Sequence, residues 1–147
     1  MVGEVMVRKV VGLLPQENAG HALDKLLEMR ISGLPVINSG GKLVGMFTEK
    51  EVLAKILPGY VELVGGFKYG QDSRALKQKV HNFSQLTVKE VMRQEVISVE
   101  ESTALYEAAH LMLTSKARRL PVLDKEKKVV GIISRGDVVK AIFTRYK

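Results

Sequence analysis

Two stretches of the chain place a hydroxyl three residues ahead of a carboxylate: Ser134-Arg135-Gly136-Asp137 and Thr48-Glu49-Lys50-Glu51. At a strand-to-helix junction such a pair forms a capping box, each side chain satisfying one orphan backbone N–H. The same two groups can also hold a polar ligand, the carboxylate as charged acceptor and the hydroxyl as donor. Upstream of the Ser134–Asp137 pair, Arg118 and Arg119 stand directly before Leu120-Pro121-Val122. Their guanidinium forks suit phosphate oxygens better than lysine would, and Lys116 adds long-range attraction for an anion. The other Leu-Pro-Val segment, at Leu34-Pro35-Val36, follows Ser32 and Gly33, with Arg30 as the nearest cation. A solvated loop after a helix is the other reading of Arg118 and Arg119.

The composition gives catalysis little support. His21, His81 and His110 show neither HExxH nor His-x-x-x-His spacing, there is no Gly-x-x-x-x-Gly-Lys-Ser/Thr loop, and no cysteine is present as a nucleophile. Ser134 and Asp137 have no histidine base in their local motif, so the Ser-His-Asp logic does not apply. A non-enzyme is expected. Without cysteine there is no disulfide framework or thiolate metal site. That suits a reducing compartment, with the cytoplasm as the expected location. No apolar stretch approaches the ~20 residues of a membrane span, and Glu4 interrupts any leader-like run.

With 147 residues, 46% apolar composition and four prolines, the chain reads as a compact globule. Its formal charge of +7 lies mostly in the second half. A basic surplus suits phosphate-bearing partners, and it also suits a merely solubilising surface. Only 5% of residues are aromatic and no recognition-helix pattern occurs, so a nucleic-acid surface is a minor alternative.

Shifting the sequence by 86 residues aligns it with itself without a gap. Glu4-Val5-Met6 falls on Glu90-Val91-Met92, Leu34-Pro35-Val36 on Leu120-Pro121-Val122, Val44-Gly45 on Val130-Gly131, Val52 on Val138, and Ile56 on Ile142. Two copies of a unit of about sixty residues result, residues 1–58 and 86–147, with residues 59–85 as an unrepeated insert. In the second copy Thr87-x-x-Glu90 is a capping box for a short helix and residues 96–99 read as a buried strand. Ser102 is the expected N-cap of a helix over 103–116, whose apolar stripe is Leu105, Ala108, Ala109, Met112 and Leu113. Strands at 120–124 and 129–134, joined by a turn at 125–127, lead to a last helix ending near Phe143. The first copy repeats this order: a strand at 10–14, a helix at 18–30, strands at 34–38 and 43–48 around the turn Ser39-Gly40-Gly41, and a helix at 49–56. In the insert, residues 59–67 show no period, whereas 72–83 read as a helix capped by Asp72 or Ser73.

The expected fold class is therefore α+β: two β-α-β-β-α repeats, each preceded by a short helix. Units this small bury too little surface alone, so the copies are expected to pack about a pseudo-two-fold axis with a cleft between them.

The element order, the Leu-Pro-Val strand, the glycine in the next strand and the hydroxyl-x-x-acid motif together resemble the cystathionine-β-synthase (CBS) domain, here as a tandem pair. The resemblance implies an adenosine-containing ligand in the clefts, a flat homodimeric disc and a regulatory role toward an effector protein. AMP, ADP or ATP is the leading choice of ligand, with S-adenosylmethionine or NAD as alternatives. It also implies that Ser134 and Asp137 contact ribose and phosphate, that Arg118 and Arg119 hold phosphate with Lys116 nearby, and that adenine is read by backbone groups at Val96, Ile97 and Ser98. The corresponding positions of the first copy are Thr48, Glu51, Val11 and Gly12, and Pro35 and Pro121 belong to the wall. Glu51 departs from the family pattern, because its longer side chain carries the carboxylate outward by about one C–C bond, ~1.5 Å. One good site per chain is expected. The alternatives from other classes are a structural dimerisation module with no ligand and a nucleic-acid binder.

Overall fold

The computed structural model describes residues 1–57 and 73–146. The aperiodic stretch 59–67 and the candidate cap Asp72 lie outside the described residues. The chain divides into two compact units, and the division does not follow the repeats. One unit joins Met1–Val11 and Ile37–Leu43 to the residues from Val96 onward. The other joins Gly12–Val36 to the described residues within Val44–Glu95. The segment that opens each repeat thus belongs to the unit built on the other repeat.

In the first unit a 3-10 turn, Val2–Glu4, leads in. Strand β3 (Val99–Glu100) pairs in parallel with β4 (Arg119–Leu123), which pairs antiparallel with β5 (Val129–Ser134). Helices α5 (Leu105–Ser115) and α6 (Arg135–Arg145) pack on each other and on this sheet. Leu105, Ala108 and Met112 are the buried stripe of α5, at spacings of three and four. They join Val2, Met6, Val99, Leu120, Val122, Ile133 and Val138 in one core.

The second unit holds α1 (Ala19–Met29), a two-stranded sheet of β1 (Gly33–Ile37) and β2 (Leu43–Thr48) except their end residues Ile37 and Leu43, which fall in the first unit, α2 (Glu49–Ile56), α3 (Ser73–Phe83) and α4 (Val88–Val91). Asn18 caps α1 by accepting from His21 N–H at 3.0 Å. Helix α2 packs against α3 and α4, and α1 packs against α4. Phe47, Leu13, Leu26, Val36 and Val88 are among the fully buried residues.

The repeat is exact enough to reproduce single hydrogen bonds. Val88 N–H donates to Glu17 O at 2.8 Å and Lys89 N–H to Pro15 O at 2.9 Å. One repeat on, Val2 N–H donates to Thr103 O at 2.8 Å and Gly3 N–H to Glu101 O at 2.9 Å. Both hairpin turns use an Asx side chain: Asn38 Oδ1 accepts from Gly40 and Lys42 N–H, and Asp124 Oδ1 from Glu126 and Lys128 N–H.

Some sequence expectations need correcting. Ser102 does not cap α5. The N-cap is Ala104, without a side-chain bond, and Thr103 Oγ1 instead accepts from Glu100 N–H at 2.9 Å to close the preceding turn. The strand at 10–14 reduces to a single parallel bridge, Leu13 to Val36, and that at 96–99 to the two residues of β3. Leu113 lies off the buried stripe and is 75% exposed. The strand expected at 120–124 is shifted one residue toward the N-terminus, to Arg119–Leu123, because Asp124 turns the chain.

Two substitutions test this packing. A Cβ on Gly131 would sit 2.5 Å from Met6 Sδ and 3.0 Å from Val7 O, so Gly131→Ala should cost about 1–3 kcal/mol in chemical denaturation. Lys127 has φ 70, at the turn position where the first repeat carries Gly41 at φ 83. Relieving that left-handed strain with Lys127→Gly should add up to ~1 kcal/mol, about 2–4 °C in a thermal melt.

Candidate functional site

The junction of β5 and α6 carries Ser134 and Asp137, two of the second-repeat residues singled out in the sequence. Ser134 ends β5 in an extended conformation and serves as the N-cap of the 11-residue α6. Its Oγ accepts from Asp137 N–H at 3.1 Å, and Asp137 Oδ2 accepts from Ser134 N–H at 2.9 Å, a complete capping box. The box consumes one carboxylate oxygen. Asp137 Oδ1 and the Ser134 hydroxyl proton have no partner among the described residues. The first turn of a helix favours negative charge, so the carboxylate is well placed electrostatically.

The two arginines are brought to this same corner by backbone pairing. Arg119 lies opposite Ser134 in the β4–β5 register, and Arg118 O accepts from Arg135 N–H at 2.9 Å. Lys116 is the C-cap of α5 in the left-handed region, φ 61, as Arg30 is for α1 at φ 54. Lys116, Arg118, Arg119 and Arg135 are all exposed, and none forms an ion pair among the described residues. Sequence reasoning missed Arg135 as a fourth cation, although it stands inside the hydroxyl-x-x-acid motif. Val96, Ile97 and Ser98 form the extended run into β3, which lies beside β4, with Ile97 exposed and its two neighbours half-buried. Pro121 is buried in β4, opposite Ile132. The corner thus offers an open carboxylate oxygen, a free hydroxyl proton and uncompensated guanidinium groups, the set that would receive a diol and an anion together.

The first repeat builds the same corner differently. Thr48 ends β2, and Ser32 O accepts from Glu49 N–H at 2.9 Å, as Arg118 O does from Arg135. Thr48 makes no side-chain cap, however. Its hydroxyl donates to Glu51 Oε2, and Glu51 Oε1 lies 3.5 Å from Arg93 Nη1. The expected outward reach of Glu51 is therefore turned onto these two neighbours, and its side chain is only 13% exposed. Arg93, which follows α4, carried no signal as a site residue in the sequence. Pro35 is buried in β1 and its carbonyl accepts from Leu13 N–H at 2.9 Å. Gly12 falls in the same unit as Thr48 and Glu51, and Val11 in the other. His21, His81 and His110 are exposed helical residues, and no group of three metal-ligating side chains occurs among the described residues. Nor is any described helix long and apolar enough to cross a membrane.

Comparison with known proteins places this architecture. The model of the CBS domain matches residues 2–58 and 88–144. The chloroplastic CBS domain-containing protein CBSX1 of Arabidopsis thaliana is 34% identical over 95% of this chain and 63% of its own length. Inosine-5'-monophosphate dehydrogenase of Methanocaldococcus jannaschii is 29% identical over 93% of this chain, which amounts to 22% of that enzyme. Among solved structures, CBSX2 in complex with AMP superposes with a TM-score of 0.75 at 30% identity, covering 99% of this chain and 98% of that one. The chain spans about two thirds of CBSX1 and a fifth of the dehydrogenase. With the family model matched twice over most of its length, the chain belongs to the CBS domain family, as a tandem pair.

Proposed function

We propose that this chain is a regulatory CBS pair that binds an adenosine-containing ligand at the β5–α6 corner of its second repeat and performs no catalysis itself. The observation that carries the reading is the state of Asp137: one oxygen is committed to the cap and the other has no partner among the described residues, at a corner to which backbone pairing also brings Arg118 and Arg119, which form no ion pair among the described residues. In this reading Asp137 Oδ1 accepts from the ribose hydroxyls, Ser134 donates to the sugar or α-phosphate, and Arg118 and Arg119 hold phosphate. The residues before β3, Val96, Ile97 and Ser98, cover the adenine. The AMP complex of CBSX2 supports an adenine nucleotide as first choice, with AMP, ADP and ATP ahead of S-adenosylmethionine and NAD. Ligand occupancy would be passed to an effector protein, in the cytoplasm.

The second reading is a dimerisation module with no ligand. It draws on the capping box, which by itself gives Ser134 and Asp137 a structural role. Substitutions separate the two. Asp137→Asn keeps an oxygen for the cap while removing the charge. It should weaken adenosine and AMP alike by about tenfold or more in calorimetric titration, since charge-assisted bonds are worth roughly 1.5–3 kcal/mol, and it should leave the melting temperature nearly unchanged. Unchanged affinity would leave the residue as a cap only. Arg119→Ala should instead spare adenosine and penalise AMP, ADP and ATP in that rising order, with the penalty shrinking as salt rises.

The reading also includes self-association. Tyr106, Leu113, Val139 and Phe143 are exposed on α5 and α6, and Leu27 and Leu53 are exposed on α1 and α2. Leu27 and Leu113 are equivalent positions, as are Leu53 and Val139, so both repeats present apolar helix surface that a second copy would cover. Light scattering at micromolar concentration should give the mass of a homodimer; a monomer at every concentration would remove the dimer from the proposal.

A further inference from the structure

The ion pair between Arg93 and Glu51 has no counterpart in the second repeat. At the repeat offset Glu51 corresponds to Asp137 and Arg93 to Val7, an aliphatic residue that can offer Asp137 no charge. Both 93 and 7 sit in the same backbone frame: Val7 bridges Ile132, and Arg93 bridges Met46. Main-chain bonds of 2.8 and 2.9 Å to Met46 therefore hold residue 93 in place independently of its side chain. Arg93 Nε donates to Glu95 O at 3.0 Å, which fixes one side of the guanidinium and leaves Nη1 3.5 Å from Glu51 Oε1. The other oxygen, Oε2, accepts from the Thr48 hydroxyl.

Both oxygens of Glu51 and the hydroxyl proton of Thr48 are thus engaged within the protein. In the second repeat one oxygen and the hydroxyl proton have no partner among the described residues. A nucleoside brings hydroxyl donors and no anion, so it would reach Glu51 only by displacing a guanidinium from a carboxylate that is mostly shielded from water, where the loss is poorly compensated. Gly33 reinforces the difference. A Cβ there would lie 2.6 Å from Thr48 Cγ2, so this corner has no room for the side chain that Arg119 contributes opposite Ser134.

We infer that Arg93 is the residue that decides occupancy of the first repeat: it competes with the ribose hydroxyls of an adenosyl ligand for Glu51 and keeps that corner closed to uncharged nucleosides. The inference rests on the ligand reading given above, and its test is arranged so that the two fail separately. Adenosine is titrated calorimetrically into chains carrying Asp137→Ala, which silences the second-repeat corner. In that background Arg93→Val, the residue of the equivalent position, and Arg93→Gln, a milder uncharged variant, should each raise adenosine affinity by about two- to fivefold, the factor that one such ion pair commands. Arg93→Lys, which keeps a cation within reach of Glu51, should leave affinity at the parent level. Adding Glu51→Gln to Arg93→Val should abolish the gain. No gain in either uncharged variant, or a gain that survives Glu51→Gln, overturns the role assigned to Arg93. The ligand reading of the second repeat is judged apart, on the chain with Arg93 intact: adenosine binding unaffected by Asp137→Asn refutes it, whatever the Arg93 variants do.

Discussion

The architecture depends on how closely a lead-in segment can approach the strand it joins. Val7 and Ile132 exchange both main-chain hydrogen bonds at 2.9 Å, and Arg93 and Met46 do the same at 2.8 and 2.9 Å. Each bridge satisfies backbone groups that would otherwise sit unpaired at a sheet edge. Each also requires the neighbouring strand residue to lack a side chain, because Met6 and Met92 place their sulfurs where the Cβ of residue 131 or 45 would be. Methionine suits the role, since its unbranched, polarizable side chain fills a narrow gap without strain. Val2 and Met6 then become part of the core around Leu120 and Ile133. Neither repeat completes a core from its own sixty residues, which is the expected remedy for units too small to bury enough surface.

The same economy governs the β5–α6 corner. A helix begins with backbone N–H groups that need acceptors, and a ligand anion or diol needs a fixed carboxylate with donors beside it. The Ser134–Asp137 box answers the first need with one oxygen of each side chain, and in doing so locks the carboxylate rotamer. Pre-organisation lowers the entropy that binding must overcome. Capping and ligand contact are therefore compatible roles for these residues, and the rigid cap is what would make the open oxygen a good acceptor.

Much of this was legible in the sequence because it is local or repeated. The ungapped alignment at 86 residues carried the element order, the positions of the two hairpin turns and the capping boxes at Thr87 and Ser134, each of which needs only residues a few positions apart. The exchange of lead-in segments was not legible, since the contact of Met6 with Gly131 leaves only two ordinary residues far apart in the chain. Arg93 escaped notice for the same reason: its partner Glu51 is 42 positions away. Ser102 misled because a good capping residue two positions early was outweighed by Thr103, whose hydroxyl closes the turn to Glu100. The strand at 10–14 was overestimated because β-branched residues favour extended backbone, while only Leu13 finds a ladder partner in Val36.

The two Leu-Pro-Val segments differ upstream for reasons that reach beyond charge. In the first repeat Gly33 lies against the methyl group of Thr48, and any Cβ at 33 would press into it at 2.6 Å. In the second repeat the facing residue is Ser134, which has no methyl, and Arg119 is accommodated. Glycine with threonine, and arginine with serine, are thus matched packing solutions to one strand pair. Threonine, by turning its hydroxyl to Glu51, also gives up the cap that serine keeps, and Glu51 then finds Arg93, whose equivalent position in the second repeat is the uncharged Val7. A single steric choice at the end of β2 therefore accompanies the loss of the arginine side chain, the loss of the cap and the engagement of the carboxylate. The first corner departs from the second as a linked set in which packing, capping and charge change together.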